Sequence, residues 1–265
     1  MQESSEKYCF FEENSVFKVS IYSVIGDRSE QQDSVGIEMD ETNGMVVVCD
    51  GMGGFENGSF VSQMAVKELL EAYRAQRPLQ NVSDFFLHCV SLLDERVSSL
   101  SDERGRSIRA GSTLSAVYID NNHLHWVSVG DSRIYIFRNG ELIQITNDQN
   151  YFYVLNKQLE AGIISEEEYA QESSRGEGLI SFLGVGGLPV IDYNARPFGL
   201  MSEDQVLIMS DGLYKLVPDS EVCSIISNFS NVSEALEALD LKAKKLAVKK
   251  NITRDNMSLA LIKIK

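Results

Sequence analysis

The chain has 265 residues, 43% of them hydrophobic, and a formal net charge of −15 at pH 7, which is enough apolar material for one buried core and too acidic a balance for a nucleic-acid partner, since phosphate-backbone binding needs clustered Lys and Arg. Its longest apolar runs, such as Met45–Cys49 and Val206–Met209, are strand-length and far short of the ~20 residues that cross a bilayer, and the polar, acidic Met1–Lys7 lacks the basic start and apolar stretch of a secretory leader. No membrane partner, a cytoplasmic location and a monomer are therefore expected, with the four cysteines (Cys9, Cys49, Cys89, Cys223), which form no CxxC pair, as reduced and mostly buried thiols rather than a zinc knuckle or a disulfide framework.

Val16–Val24, Ser34–Met39 and Met45–Cys49 are rich in β-branched and apolar residues and are separated by turn formers such as Thr42-Asn43-Gly44, which predicts strands. The period then changes. Phe60–Ala75 and Phe85–Leu100 place apolar residues at helical spacing, Val61, Met64, Ala65, Leu69 and Tyr73 in the first and Phe86, Val90, Leu93 and Val97 in the second, predicting two amphipathic helices. After a polar connection at Arg104–Arg109, strands are predicted at Thr113–Ile119, Leu124–Val129, Arg133–Phe137 and Glu141–Ile145, with Asn139-Gly140 as a hairpin turn. Gln149–Gly187 breaks the rhythm and reads as a flap of about residues 149–187 with a short helix opening at Ser165, where Glu168 completes a capping box. Strands follow at Val190–Arg196 and Gln205–Met209, a short helix near Pro218–Ser227, a long helix capped by Asn231 and Glu234 and running to about Lys249, and a last strand at Met257–Ile264. With no internal repeat, residues 1–265 read as a single α+β domain of two packed sheets flanked by helices.

Three aspartates end apolar strands beside a small residue: Val48-Cys49-Asp50-Gly51, Val129-Gly130-Asp131-Ser132 and Met209-Ser210-Asp211-Gly212, while Asp255 in Arg254-Asp255-Asn256 stands just before a strand. One Asp-Gly is an ordinary turn; four acids at strand ends can share one edge, where carboxylates offer the oxygen ligands that Mg²⁺ and Mn²⁺ prefer.

These segments also carry a family pattern. Arg28-Ser29-Glu30-Gln31-Gln32-Asp33, Asp50-Gly51-Met52-Gly53-Gly54, Ala110-Gly111-Ser112-Thr113, Val129-Gly130-Asp131-Ser132-Arg133, Ser210-Asp211-Gly212 and Asp255-Asn256 stand in the order of the PPM family, the type-2C metal-dependent protein phosphatases, and the chain resembles that family, in its bacterial form, from about Val19 to Ile264. The resemblance implies a four-layer α-β-β-α sandwich with two antiparallel sheets flanked by helix pairs. It implies two or three Mn²⁺ or Mg²⁺ ions: Asp50 bridging two, Gly51 contributing its carbonyl, Asp211 and Asp255 holding the second, and Asp131 with Asp211 holding a third. Asp33 is the acid implied to order metal-bound water, Arg28 the guanidinium implied to grip the substrate phosphate, and a metal-bridging hydroxide the implied nucleophile on phosphoserine or phosphothreonine of proteins phosphorylated by a serine/threonine kinase.

Met52 stands where many eukaryotic relatives have a histidine proposed to protonate the leaving group, Gln32 replaces a common Glu, Gln149-Asn150 follow Asp148 where His-Ser is usual, and Leu179–Gly184 lacks the family's Thr-Arg. None of these removes an implied metal ligand. The alternative reading, a phosphoprotein-binding pseudophosphatase, is disfavoured by the presence of Asp50, Asp211 and Asp255. The chain has no Cys-x5-Arg spacing for a thiolate phosphatase. His123 and His125 share a strand face but are expected to face solvent, His88 has no role assigned, and Lys242–Lys250 reads as a solvated helix face.

Overall fold

Several strands are apolar on nearly every residue because both of their faces are covered. In Phe17–Val24 (β2), Phe17, Val19 and Ile21 enter one core while Tyr22 and Val24 enter another on the opposite face. The same alternation sorts Asn43–Gly53 (β4) into Val46 and Val48 against Met45, Val47 and Cys49. It sorts Met257–Ile264 (β13) into Ala260, Ile262 and Ile264 against Leu259 and Leu261. Two-residue periodicity is intact in each strand; it is hidden because both sets are hydrophobic.

The computed structural model describes residues 7–53 and 57–265. The remaining strands are Lys7–Glu13 (β1), Asp33–Met39 (β3), Ala110–Ser112 (β5), Leu114–Asp120 (β6), His123–Val129 (β7), Arg133–Arg138 (β8), Glu141–Gln144 (β9), Asp192–Tyr193 (β10), Phe198–Gly199 (β11) and Gln205–Met209 (β12). One sheet has the order β1-β2-β13-β12-β8-β9 and the other β10-β7-β6-β4-β3, with β11 on β7 and β5 on β4. All of these pairings are antiparallel. The core between the sheets takes Phe17, Ile21, Val48, Val117, Ile208 and Ile262 from both. Helices Asn57–Gln76 (α1) and Val82–Ser98 (α2) cover the outer face of the second sheet through Val61, Leu69, Phe86 and Val90. Asp219–Asn228 (α6) and Val232–Lys250 (α7) cover the first through Ile226, Leu236 and Leu239. The result is the expected α-β-β-α sandwich. Among the described residues no helix is long and apolar enough to cross a membrane.

The local signals worked where the chemistry is local. Asn139 and Gly140 both take positive φ, 54° and 83°, between the paired Arg138 and Glu141, as the hairpin requires. Ser165 and Glu168 form the capping box of helix Glu166–Glu172 (α4), and Asn231 accepts from Ser233 and Glu234 N–H to open α7.

Three elements differ from expectation. β1 was not anticipated: every residue of Lys7-Tyr8-Cys9-Phe10-Phe11-Glu12-Glu13 is exposed, so no buried stripe marks it as an edge strand. The 149–187 segment holds a second helix, Tyr151–Glu160 (α3), capped by Asn150; Leu155 is its one buried residue, too little for an apolar period. The single strand expected over Val190–Arg196 splits into β10 and β11. Between them the Asn194 side chain accepts from Trp126 N–H at 2.8 Å and donates to Leu124 O at 3.0 Å, standing in for the ladder just before Pro197, which has no N–H to give. The thiols are all free, Cys49 and Cys89 buried, Cys223 half-buried and Cys9 exposed.

Candidate metal centre

Antiparallel pairing brings the acids to one end of the sandwich. Asp33 opens β3 and Asp50 lies directly opposite it near the end of β4. In the other sheet β12 runs out at Met209 beside the start of β8, which puts Asp211, first residue of the short helix Asp211–Tyr214 (α5), and Asp131, just ahead of β8, at the same end; Asp255 enters just ahead of β13. The sheets are tied there by Ser210, whose Oγ donates to Asp33 Oδ2 at 2.7 Å and accepts from Ser258 N–H at 2.9 Å.

Hydroxyls and glycines fix the strand end. Thr113 Oγ1 accepts from Asp50 N–H at 2.9 Å and bonds Ser132 Oγ at 2.7 Å, while Ser112 Oγ donates to Asp50 O at 3.0 Å. Gly51 N–H donates to Gln32 O at 3.0 Å, and a Cβ on Gly51 would overlap the carbonyls of Gly58 and Gln32, so only glycine fits. Asn256 anchors the loop that carries Arg28: its Oδ1 accepts from Gln32 N–H at 2.8 Å, and its Nδ2 donates to Ile25 O and Glu30 O at 2.8 and 2.9 Å.

Burial and mutual repulsion make the cluster electrostatically costly. Burial, against the Ser210 hydrogen bond and with the charge of Asp211 adding to it, pushes the Asp33 carboxyl up to about 7. Asp131 rises to about 6 for want of solvation and because of Asp211. Desolvation and then Asp33 drive Asp50 well above the usual carboxylate range. Two acids are turned to cations instead: Arg28 Nη2 donates to Asp255 Oδ2 at 2.6 Å and Lys215 Nζ to Asp211 Oδ2 at 2.7 Å. Accordingly, among the described residues no three His, Cys, Asp or Glu side chains stand close enough to grip one ion as they are. The residues nevertheless fit hard divalent cations. Every donor is an oxygen, the acids destabilise one another, and Asp33 Oδ1 is buried without a hydrogen-bond partner.

Residues 22–248 match the family model described as "Protein phosphatase 2C". The chain belongs to the protein phosphatase 2C family. It is 30% identical over 230 residues to the "Serine/threonine phosphatase stp" of Listeria monocytogenes serotype 4b, covering 85% of this chain and 89% of that one. In fold it is similar to the S. agalactiae serine/threonine phosphatase, with a TM-score of 0.80 at 23% identity over 94% of this chain and 100% of that one. It is also similar to the catalytic domain of the serine threonine protein phosphatase PstP in complex with two manganese ions, with a TM-score of 0.72 at 24% identity over 94% and 98% of the two chains.

In this protein phosphatase 2C chain, Arg28, Asp33, Asp50, Gly51, Asp131, Asp211 and Asp255 all lie at one end of the sandwich. Gly54 lies outside the described residues. Reasoning from sequence missed the groups that link them. Lys215 sits one helical turn after Asp211, an i,i+4 pairing that spacing could have revealed, and reaches Glu177 of the 149–187 segment at 3.4 Å. Tyr214 donates to Asp131 Oδ2 at 3.1 Å and lies under Arg133, 3.6 Å from its ring centre, while Arg133 grips Asp148 with two nitrogens at 2.8 and 2.6 Å. These side chains line a cleft of about 570 Å³ between Asp211 and the 149–187 segment. The unusual Gln149 is wholly buried and closes the Gly130 turn, accepting from Gly130 N–H at 3.0 Å and donating to Ser128 O at 2.8 Å. The histidines are remote from this cluster in sequence and sheet position. His123 is exposed, but His125, expected to face solvent, is half-buried against Tyr118 with its Nδ1 unpartnered, because the outer face of β7 also lies under the helix layer.

Proposed function

We propose that this protein is a metal-dependent serine/threonine phosphatase that removes phosphate from phosphorylated proteins, the products of a serine/threonine kinase, in the cytoplasm and as a monomer. The single domain of residues 1–265 carries residues 149–187 as a flap over the site. The observation that carries the reading is the gathering of Asp33, Asp50, Asp211 and Asp255 with Arg28 at the one edge where Ser210 ties the two sheets together.

Asp50, the Gly51 carbonyl, Asp211 and Asp255 are the groups that would hold two Mn²⁺ or Mg²⁺ ions. Such ions supply Lewis-acid charge and an acidified water at neutral pH. Asp33 is oriented by Ser210 and keeps Oδ1 without a partner, and it would accept a hydrogen bond there and orient a water in the site. Arg28 meets the phosphate oxygens with its planar fork, a role in which it exchanges Asp255 for the substrate. Asp131 with Asp211 is the pair that would hold a third ion. Met52 carries no transferable proton, so the leaving oxygen takes its proton from water.

Hydrolysis of a phosphothreonine peptide with and without Mn²⁺ tests the reading. Turnover is expected only with the metal. Asp50→Asn should abolish it and weaken metal binding in calorimetric titration; a wild-type chain that binds the phosphopeptide without turning it over would instead favour the pseudophosphatase. Asp131→Ala should keep the fold and two bound ions while turnover falls strongly.

A further inference from the structure

A second cleft opens beside the metal centre, where the extension of β4 past Asp50 is walled by two fixed segments. It encloses about 350 Å³ and is lined by Met52, Ile108, Arg109, Ala110, Phe182 and Gly184, among others. One wall is the C-terminal end of the 149–187 segment. Leu183 exchanges backbone hydrogen bonds with Ser112 at 3.2 and 2.9 Å. The buried Asp94 carboxylate of α2 accepts from the N–H groups of Gly184, Gly186 and Gly187 at 2.8, 3.2 and 2.6 Å. The Phe182 ring lies flush on Gly111, so that a Cβ there would stand 2.7 Å from it. The opposite wall is the loop from Ser101, held by the Ser101–Ser107 bridge and by Ile108 N–H to Leu100 O at 2.9 Å. Both walls are thus set before anything binds.

The lining is chemically two-sided. Met52, Ile108 and Phe182 are half-buried and offer apolar surface, while the exposed Arg109 side chain forms no hydrogen bond or ion pair among the described residues. In a chain of net charge −15, where Arg28, Arg133, Arg138 and Arg254 are each engaged by a carboxylate, a free guanidinium at the rim of an apolar slot is complementary to an acidic ligand. Met52 lies on the same strand face as Asp50, two residues on, which is roughly 7 Å along the chain. An extended peptide covers that distance in about two residues.

We infer that this cleft reads the substrate sequence: it seats an apolar side chain two residues from the phosphorylated serine or threonine, with Arg109 pairing an acidic residue adjacent to it. This rests on the phosphatase activity proposed above. Binding of this kind uses interactions distant from phosphorus to hold the reacting bond in place. The physiological targets would then be phosphoproteins with apolar and acidic residues flanking the site, and basic flanks would be poor.

The test is kcat/KM on phosphothreonine peptides with Leu, Ala or Lys placed in turn at each position within three residues on either side, in Mn²⁺, with p-nitrophenyl phosphate as a substrate that has no flanks. Wild type should prefer Leu over Ala at one position two residues away by roughly five- to tenfold, mainly through KM. Ile108→Ala should shrink that ratio to near one, and Arg109→Glu, an exposed change that leaves the core alone, should turn a two- to fivefold preference for Glu over Lys at the neighbouring position into its reverse. A flat profile across all positions with p-nitrophenyl phosphate turned over normally overturns the inference alone, as does a preference that survives both variants. Absence of any turnover, p-nitrophenyl phosphate included, overturns the proposed activity on which it stands.

Discussion

At the scale of single residues, the site sets carboxylates against cations. Lys215 and a divalent ion have the same claim on Asp211, and the ammonium is held at 2.7 Å, so part of the metal's binding energy is used in displacing it. Lys215→Met keeps the stem that packs in the cleft and removes the charge. Calorimetry should then show Mn²⁺ binding about two- to fivefold more tightly, the range for a partly exposed pair; unchanged or weaker binding would show that Lys215 does not compete. Arg28→Ala is the contrasting change. It also frees a metal acid, Asp255, held at 2.6 Å, but from a more exposed and better screened pair, so Mn²⁺ affinity should rise by no more than about twofold while the transition-state barrier for a phosphothreonine peptide rises by roughly 2–4 kcal/mol; normal kinetics would remove Arg28 from phosphate binding. Asp50, Asp131, Asp211 and Asp255 are legible because each is an acid beside an abrupt end of an apolar run, whereas Asp33, which follows the polar Gln31-Gln32, is reached only through the family resemblance. Ser210 and Lys215 were not assigned roles, because their contacts exist only once two sheets are packed and a helix has begun at Asp211.

At the scale of elements, α1 is fastened to the outer edge of its sheet by Glu38 of β3, which receives Arg74 Nη2 and Arg77 Nη1, the latter at 3.0 Å. The hydrogen bond from Arg74 is the largest influence holding the Glu38 carboxyl below its ordinary value of 4.5. For a carboxylate depressed in the folded state, the linked stability is complete above the unfolded value and disappears as pH falls through the folded one. Glu38→Gln should accordingly cost roughly 1 kcal/mol in urea melts at pH 7, and the gap from wild type should narrow as the pH is taken below the ordinary value of 4.5; a gap independent of pH would mean that packing rather than charge makes the clamp. The elements read best from sequence were those with their own chemistry: β13, whose expected limits Met257–Ile264 match, the Asn139-Gly140 hairpin and the capped α4 and α7. β1 escaped because it is an edge strand with no buried residue, and α3 because Asn150, its cap, was read only as a departure from a family pattern.

At the scale of the whole molecule, the acids at the sheet edge are a fault in an otherwise well-paired fold, and a bound cation removes it. Asp33 and Asp50 face each other on neighbouring strands, and both are shifted upward by burial and by the charges of the other site acids. The folded chain therefore carries repulsion that an extended chain would relieve by solvation. An ion that binds the folded state alone stabilises it by RT ln(1 + [L]/Kd), about 2.7 kcal/mol at a hundredfold excess over Kd. For a chain of this size that corresponds to a rise in Tm of roughly 5–10 °C. Mn²⁺ or Mg²⁺ should produce this rise, EDTA should reverse it, and a monovalent salt at equal ionic strength should not, because screening acts weakly on buried pairs. Asp50→Asn should behave in an informative way in the same melts. Without metal it should be at least as stable as wild type, since one buried charge is gone and the Thr113 and Ser112 bonds to the Asp50 backbone remain; with Mn²⁺ its Tm should scarcely move. The opposite pattern, a variant that is unstable without metal yet still raised by Mn²⁺, would make Asp50 a structural acid and would transfer the metal centre to other residues.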